Sequence, residues 1–457
     1  MSLGFWRTEG LSSGSFDTGV VDTGRGSIVK RRLLMSVAMV AALSALIAAC
    51  GNNNKPSAGG TPTAERCKPY KKAQALQLAD GHVSLVGSVH ALQGQSKPTV
   101  KIGFIGDLTG ENSSLVVGSR DGAKLAFKLA NAAGDLPVNV EFVALDNKNA
   151  LESTAAPLAQ QLINDKQVVA VIGPAFSGET SVATPLFCRA GITNITPSAT
   201  RVDLTAQGWH TFFRGLGDDN QQSAAAGKLL VSKGFKKIAV VNDKTAYGQG
   251  LGEGIVKVLR ATSNVTVVLD EGVSPTTNYT SLVDSLLAKQ PDAVYYAGYV
   301  AQAPLILKQM RDKGLKAQFA SGDGSKENKF ITTAGKSVSE GVLFTCPCLD
   351  PSVSSDPAAK DFSSKFQAEY GHLAPIYAAE GWDLAQIYIA AFKAGKTTRA
   401  AILKYVTDLK DFVGLTKTFN WTKDPAALHE PTQKGVNIYE IKSGKIVLLG
   451  PVEEVTK

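Results

Sequence analysis

Four short words carry most of the polar chemistry in this chain. Ser177-Gly178-Glu179-Thr180 follows the apolar run VVAVIG and is expected to open a helix, with Ser177 as its N-cap. The free N–H groups and dipole of such a start favour a carboxylate, and Gly178 permits close approach of the backbone. An ordinary serine cap is the plainer alternative. Thr196-Pro197-Ser198-Ala199-Thr200 follows the next apolar run, so it forms a loop at the carboxyl end of a strand. Open α/β sheets bind ligands at that end, although a surface turn would read the same way. Asp323 stands between Gly322 and Gly324 as either a cation's partner or an exposed turn residue. Tyr247 and Tyr299 offer ring faces and uncharged hydroxyls, with core packing as the alternative because VYYAGY is also a buried-strand word.

The devices of catalysis are missing. After residue 49 there is no Gly-x-Ser-x-Gly elbow and no His-Glu-x-x-His pair. Gly395-Lys396-Thr397 fails as a phosphate loop because Ala390 stands where the leading Gly belongs, and GQGLGEG from Gly248 breaks dinucleotide spacing. The histidines at 82, 90, 210, 372 and 429 are scattered, so neither an enzyme nor a metal centre nor a cofactor is expected. Cys346-Pro347-Cys348 is too tightly spaced for the usual zinc site. Cys67, Cys188, Cys346 and Cys348 allow two disulfides in three pairings, and disulfides are preferred over free thiols.

The stretch from Lys30 to Cys50, KRRLLMSVAMVAALSALIAAC, decides the compartment. A basic head, a short apolar run and a small-residue exit fit an export signal better than a bilayer-spanning helix. Its ending resembles the lipobox of bacterial lipoproteins, which implies that Cys50 is the lipidated first residue after processing. Residues 1–49 are expected to be removed, the true start lying near Val29. A polar tether, GNNNKPSAGGTPT, follows, and residues 65–97 form an extension without an assigned role. The protein is thus expected outside the cytoplasm, lipid-anchored to the bacterial cell membrane.

Roughly 400 residues then remain, too many for one ordinary core and suited to two domains of ~150 to 200 residues. With 44% hydrophobic and 19% charged residues, a packed core is affordable. Five cations and three anions precede Cys50, so their removal lowers the formal charge from +8 to +6. The surplus is scattered lysine without an arginine stripe, which leaves nucleic-acid binding unsupported. It fits a solvated face near anionic lipid.

From Thr99 the elements that must hold these words become regular. TVKIGFIG, VNVEFVALD and QVVAVIG read as strands between helices RDGAKLAFKLANAAG and STAAPLAQQLIND. After a break at Arg214–Asp219 the alternation restarts with KKIAVVND, VTVVLDEG, DAVYYAG, AQFAS and GVLFT as strands. Strands apolar on both faces imply mostly parallel sheets covered on both sides. Asp356 to Leu409 is helical only, and GVNIYEIKSGKIVLLG reads as a hairpin with a Ser-Gly turn. A helical block without strands needs a sheet to cover. The economical chain path returns to the first sheet and then to the second. Lobe 1 is then 98–217 plus 347–428 and lobe 2 is 218–346 plus 429–457, with three hinge crossings.

These words, in this order, resemble the type I periplasmic binding proteins, most closely the branched-chain amino-acid (leucine/isoleucine/valine) binding group of ABC importers. KIGFIGDLTG, VIGPAFSGET, ITNITPSATRVDLT, VVNDKTAYGQGL, VYYAGY, KGLKAQFASGDG and YAAEGWDLAQIY carry the likeness across residues 98–450. The resemblance implies a monomer that traps a small-molecule amino acid between its lobes for a permease and its ATPase. Burying both charges of a zwitterion unpaired would cost several kcal/mol each, so both must be met.

By that resemblance Ser177 holds the carboxylate, Ser198 offers its carbonyl to the ammonium, and Thr200 serves both. Asp323 stands where the group usually has Glu, one methylene longer. Tyr247 and Tyr299 close the site from the second lobe, while Phe176, Ala175 and Leu115 shape an aliphatic pocket. Glu380 is expected to face solvent, with a ligand role as the lesser alternative. A sensor of amino acids or amides without a transport role is the rival function.

Overall fold

The structure, a computed structural model, describes residues 97–148 and 152–457. Cys50, Cys67, the expected signal, the tether and residues 65–96 lie outside these residues.

The first sheet contains β1 (Thr99–Gly106), β2 (Asn139–Asp146), β3 (Val168–Ile172), β4 (Thr193–Thr196) and β5 (Phe212–Arg214) in the order β2-β1-β3-β4-β5. All neighbours are parallel, with Thr99 opposite Asn139 and Gly106 opposite Asp146. β3 is buried along its whole length, as its unbroken VVAVI requires. Between these strands run α1 (Val117–Ala133), α2 (Glu152–Asn164) and α3 (Ser177–Arg189). α1 stops at Gly134, whose φ of 73° is the left-handed cap that glycine adopts without strain.

The second sheet begins with β6 (Lys237–Asn242), β7 (Thr266–Gly272), β8 (Ala293–Ala297), β9 (Gln318–Ser321) and β10 (Leu343–Cys346). Its connecting helices are α4 (Asp219–Ser232), α5 (Ala246–Arg260), α6 (Thr280–Lys289), α7 (Ala303–Asp312), α8 (Asn328–Ala334) and α9 (Lys336–Ser339). Three further helices follow, α10 (Pro357–Tyr370), α11 (Ala378–Lys393) and α12 (Arg399–Thr407). A two-stranded ribbon, β11 (Phe412–Val413) and β12 (Thr418–Phe419), comes next. The hairpin β13 (Asn437–Lys442) and β14 (Lys445–Pro451), with a final turn α13 (Val452–Val455), completes the second sheet in the order β14-β13-β10-β9-β8-β6-β7. Its turn residues Ser443 and Gly444 both have positive φ, as a tight hairpin turn demands.

α11 lies along α1, and with α12 it covers β3. The contact is backbone to backbone: a Cβ at Gly122 would sit 2.0 Å from the Ala378 carbonyl, and one at Gly381 2.0 Å from the Ser119 carbonyl. Glycine at those positions lets the start of α11 descend onto the first sheet, which brings Tyr377 to the sheet's carboxyl end. Cys346 and Cys348 are bonded to each other where the chain leaves β10, and Cys188 is also disulfide-bonded.

Candidate ligand-binding crevice

The carboxyl ends of both sheets face one narrow crevice lined by Leu115, Phe176, Ser198, Tyr247, Tyr299, Asp323, Gly324 and Tyr377. Six of the nine residues expected from the sequence border it. Ser177, Thr200 and Ala175 do not border it; Ala175 is hydrogen-bonded to its wall and Ser177 to the loop behind it. The Ser198 hydroxyl donates to the Ala175 carbonyl at 2.7 Å, and the Arg201 N–H donates to Ser177 Oγ at 3.3 Å.

On the first-sheet side the loops after β3 and β4 supply donors. Ser177 is the first helical residue of α3 and not its cap; Phe176 holds the cap position with extended backbone. A phenylalanine has no acceptor, so the cap is made in the return direction only. Glu179 Oε2 accepts from the Phe176 N–H at 3.4 Å, and the Ser177 hydroxyl is released for the neighbouring loop. The first N–H groups of α3 have no acceptor within the helix. Glu179 also accepts from Asn147, and burial pushes its carboxyl up to about 8. It is therefore neutral at pH 7 and does not repel an anion beside the helix start.

The loop from Ala199 to Arg201 turns its carbonyls away from the crevice. Arg214 donates to the Ala199 and Arg201 carbonyls, and the Asp219 N–H donates to the Thr200 carbonyl at 2.9 Å. Thr200 is wholly buried; its hydroxyl lies beside the Asp219 carboxyl, and among the described residues its N–H has no hydrogen-bond partner. A buried donor without an acceptor costs free energy, so this N–H is poised for an acceptor from outside the chain.

The second-sheet side supplies an acid among aromatic rings. Asp243, at the end of β6, accepts from the Thr245 N–H and hydroxyl and from the Tyr299 N–H at 2.9 Å. That carboxylate fixes the two loops that carry Tyr247 and Tyr299. Their ring centroids are 5.0 Å apart, and Tyr299 meets Phe176 across the crevice at 4.6 Å. Asp323 is 2% exposed, which excludes the exposed-turn alternative. The Tyr247 hydroxyl donates to its Oδ1 at 2.8 Å, and the Tyr377 hydroxyl donates to its Oδ2. Burial pushes the Asp323 carboxyl up, opposed by these donors and by Gln222. The flanking glycines are steric: a Cβ at Gly322 would lie 2.5 Å from the Tyr247 hydroxyl, and one at Gly324 2.6 Å from its ring.

Three functional positions escaped the sequence. Tyr377 holds φ at 63°, a strained value for a tyrosine, and caps α11 with its hydroxyl on Asp323. Gln222 joins Asp323 to the Thr345 carbonyl, to which it donates at 2.7 Å. Asp219 is buried beside the Thr200 hydroxyl, and burial together with the nearby Asp323 raises its carboxyl well above the ordinary range. The turn GLGDD signals a helix start but not an acid aimed inward. Glu380 is also buried and does not face solvent as expected. It accepts from the Leu349 N–H at 2.8 Å, away from the crevice lining, and burial lifts it to about 7.

The crevice is shut. The centre of a water molecule can move through only about 10 Å³ of it, room for about one water. Two sheets whose carboxyl ends close on a polar crevice define a two-lobed α/β solute-binding fold. The sequence profile of the family described as periplasmic binding protein matches residues 99–445, and the chain belongs to that family. It is similar to Leu/Ile/Val-binding protein homolog 1 of Brucella melitensis, 34% identical over 285 residues that span 62% of this chain and 75% of that protein. Among solved structures it is similar to the branched-chain amino acid substrate-binding protein LivJ of Streptococcus pneumoniae in complex with isoleucine. That match has 27% identity and a TM-score of 0.69, covering 77% of this chain and all of the other. A solute-binding protein of R. palustris in complex with benzoate shares the fold at 23% identity and a TM-score of 0.68, covering 78% of this chain and 96% of that one. The protein is a binding protein and not an enzyme.

Proposed function

We propose that the protein is the extracytoplasmic substrate-binding lipoprotein of an ABC transporter, anchored through Cys50, which carries a branched-chain amino acid to a permease and its ATPase. The observation that carries this reading is the opposition of two complementary sets across one crevice. Unpartnered N–H groups at the start of α3 and at Thr200 await a carboxylate, and Asp323 faces them from the other sheet among aromatic rings. The ammonium replaces a tyrosine hydroxyl on Asp323 and also meets the Ser198 carbonyl. The side chain lies among Leu115, Phe176 and Tyr299, where nothing charged would receive a basic or acidic one. The isoleucine complex of LivJ and the Leu/Ile/Val-binding relative support the same solute class.

Such a ligand has about nine heavy atoms, and micromolar affinity needs roughly −8 kcal/mol, which demands near-complete enclosure. A crevice this tight admits it only if the lobes part, so binding is hinge opening followed by closure. The hinges are the three crossings between lobe 1 (98–217, 347–428) and lobe 2 (218–346, 429–457). The test is a thermal-shift panel of the twenty amino acids and their amides, repeated on Asp323→Ala. Aliphatic amino acids should stabilise the wild type by several degrees and the variant hardly at all. Equal stabilisation of both proteins by an uncharged amide would contradict the ammonium assignment.

A further inference from the structure

Arg214, at the end of β5, is completely buried, and all of its described hydrogen bonds lead to two places. Its two terminal nitrogens donate to the Ala199 and Arg201 carbonyls, one on either side of Thr200. Its Nε donates at 2.6 Å to Oε1 of Glu430, which is equally buried. The planar fork of a guanidinium can hold two carbonyls at a fixed separation, which a lysine ammonium cannot. With both flanking carbonyls and the Thr200 carbonyl held on the far side, the Thr200 N–H, which points opposite to the Ala199 carbonyl of its own peptide plane, is turned the other way.

Glu430 belongs to the segment that leads the chain toward β13, and it is not isolated there. Its Oε1 also accepts from the Thr205 hydroxyl at 2.9 Å. Its Oε2 lies 3.2 Å from the Lys434 amine, an ion pair without hydrogen-bond alignment. That amine is 3.4 Å from Oδ2 of Asp218, whose other oxygen caps α4 through the Asn220 N–H at 2.9 Å. Two acids and two cations thus balance in one chain of contacts. It starts at the Thr200 loop and ends at the two segments, 215–218 and 430–436, that join one sheet to the other.

We propose that Arg214 and Glu430 are positioning residues for ligand binding: Arg214 shapes the Thr200 loop, and the Glu430–Lys434–Asp218 contacts tie that loop to two crossings, so that seating a ligand on Thr200 and holding the lobes closed are one event. This rests on the functional reading above. Partly buried charges are the natural material for such a tie, because one broken partner leaves the other costly.

The experiment measures L-leucine affinity by calorimetry and its dissociation rate by stopped flow on full-length protein. Arg214→Lys keeps the charge and loses the fork, and it should weaken binding about tenfold. Because that variant could fail to fold, Lys434→Met and Lys434→Arg are measured beside it. Met breaks the tie and should release ligand roughly fivefold faster, and Arg should restore the wild-type rate. A purely structural role would move the melting temperature and leave the rate alone. Wild-type dissociation from Lys434→Met, or wild-type affinity in a folded Arg214→Lys, overturns the proposal. A wild type that binds no amino acid at all takes down the functional reading and this inference together.

Discussion

Asp323 is a buried carboxylate occupied by neutral donors: one oxygen takes the Tyr247 hydroxyl and the other the Tyr377 hydroxyl. Such donors stabilise the charge without cancelling it, and a ligand ammonium would do both. Asp323→Asn keeps the shape and removes the charge, so L-leucine binding should weaken about 100-fold by calorimetry while the free protein melts no lower. Asp219 is the contrary case, because only the Thr200 hydroxyl and the Arg214 charge favour its ionised form, against burial and the neighbouring acid Asp323. Asp219→Asn removes a carboxyl whose ionised form burial disfavours and should raise the melting temperature of the free protein by about 2 to 4 °C in calorimetric scans. A lower melting temperature would mean that its contact with Thr200 outweighs the cost of burial. Asp323 was legible only through the family resemblance, since the residues alone left an exposed turn open; its glycines are explained by the Tyr247 ring packed against them. Tyr377 was not legible: it reaches Asp323 only through a left-handed backbone and a helix start that glycines draw onto α1, and no local pattern records either.

At the scale of the element, the start of α3 shows how a helix terminus is made fit for an anion. Ser177 reads as a cap from its type, but Phe176 takes that place and the serine hydroxyl serves the Thr200 loop instead. The error is instructive, since cap statistics describe local bonds and this hydroxyl was drawn off by a tertiary one. The apolar strand β3 was legible for the opposite reason, because its burial on both faces is written in every residue, as it is in most of β1. β5, three residues long, and the ribbon β11–β12, two residues a side, were too short to leave a period. The same helix start carries a pH signature. Glu179 rises from 4.5 to about 8 through burial, so the native state holds a proton that the unfolded chain has released. Its stabilising contribution is complete below pH 4.5 and is lost as pH rises through about 8. Between pH 6.5 and 8 the wild type should lose about 2 kcal/mol from this group. Glu179→Gln keeps the side chain's shape and one acceptor oxygen and should flatten that part of the curve in denaturant titrations. An identical slope in both proteins would show that Glu179 is ionised in the native state.

For the whole molecule the shut crevice poses a kinetic question, since a ligand cannot reach Thr200 while the two sides touch. Away from the chain crossings, where many bonds tie the lobes, three described polar bonds join the two sides besides the Phe176–Tyr299 ring contact. The Tyr377 hydroxyl donates to Asp323, the Ala301 N–H donates to Asn112 Oδ1 at 3.3 Å, and Lys329 donates to the Glu111 carbonyl. The latter two lie on part-buried or exposed residues and are individually weak. The first is buried and charge-assisted, hence the strongest of the three. It also stands where the ammonium is proposed to bind, so it opposes ligand twice, by keeping the lobes closed and by filling the partner's place. Tyr377→Phe should therefore widen the free protein, read as a larger radius of gyration in solution scattering, and speed L-leucine association roughly fivefold. Once the ligand is seated, its ammonium supplies what the hydroxyl gave, so dissociation should change less than association. If the variant associates at the wild-type rate, opening is not limited by this bond. Closure would then have to be attributed to the aromatic contact between Phe176 and Tyr299.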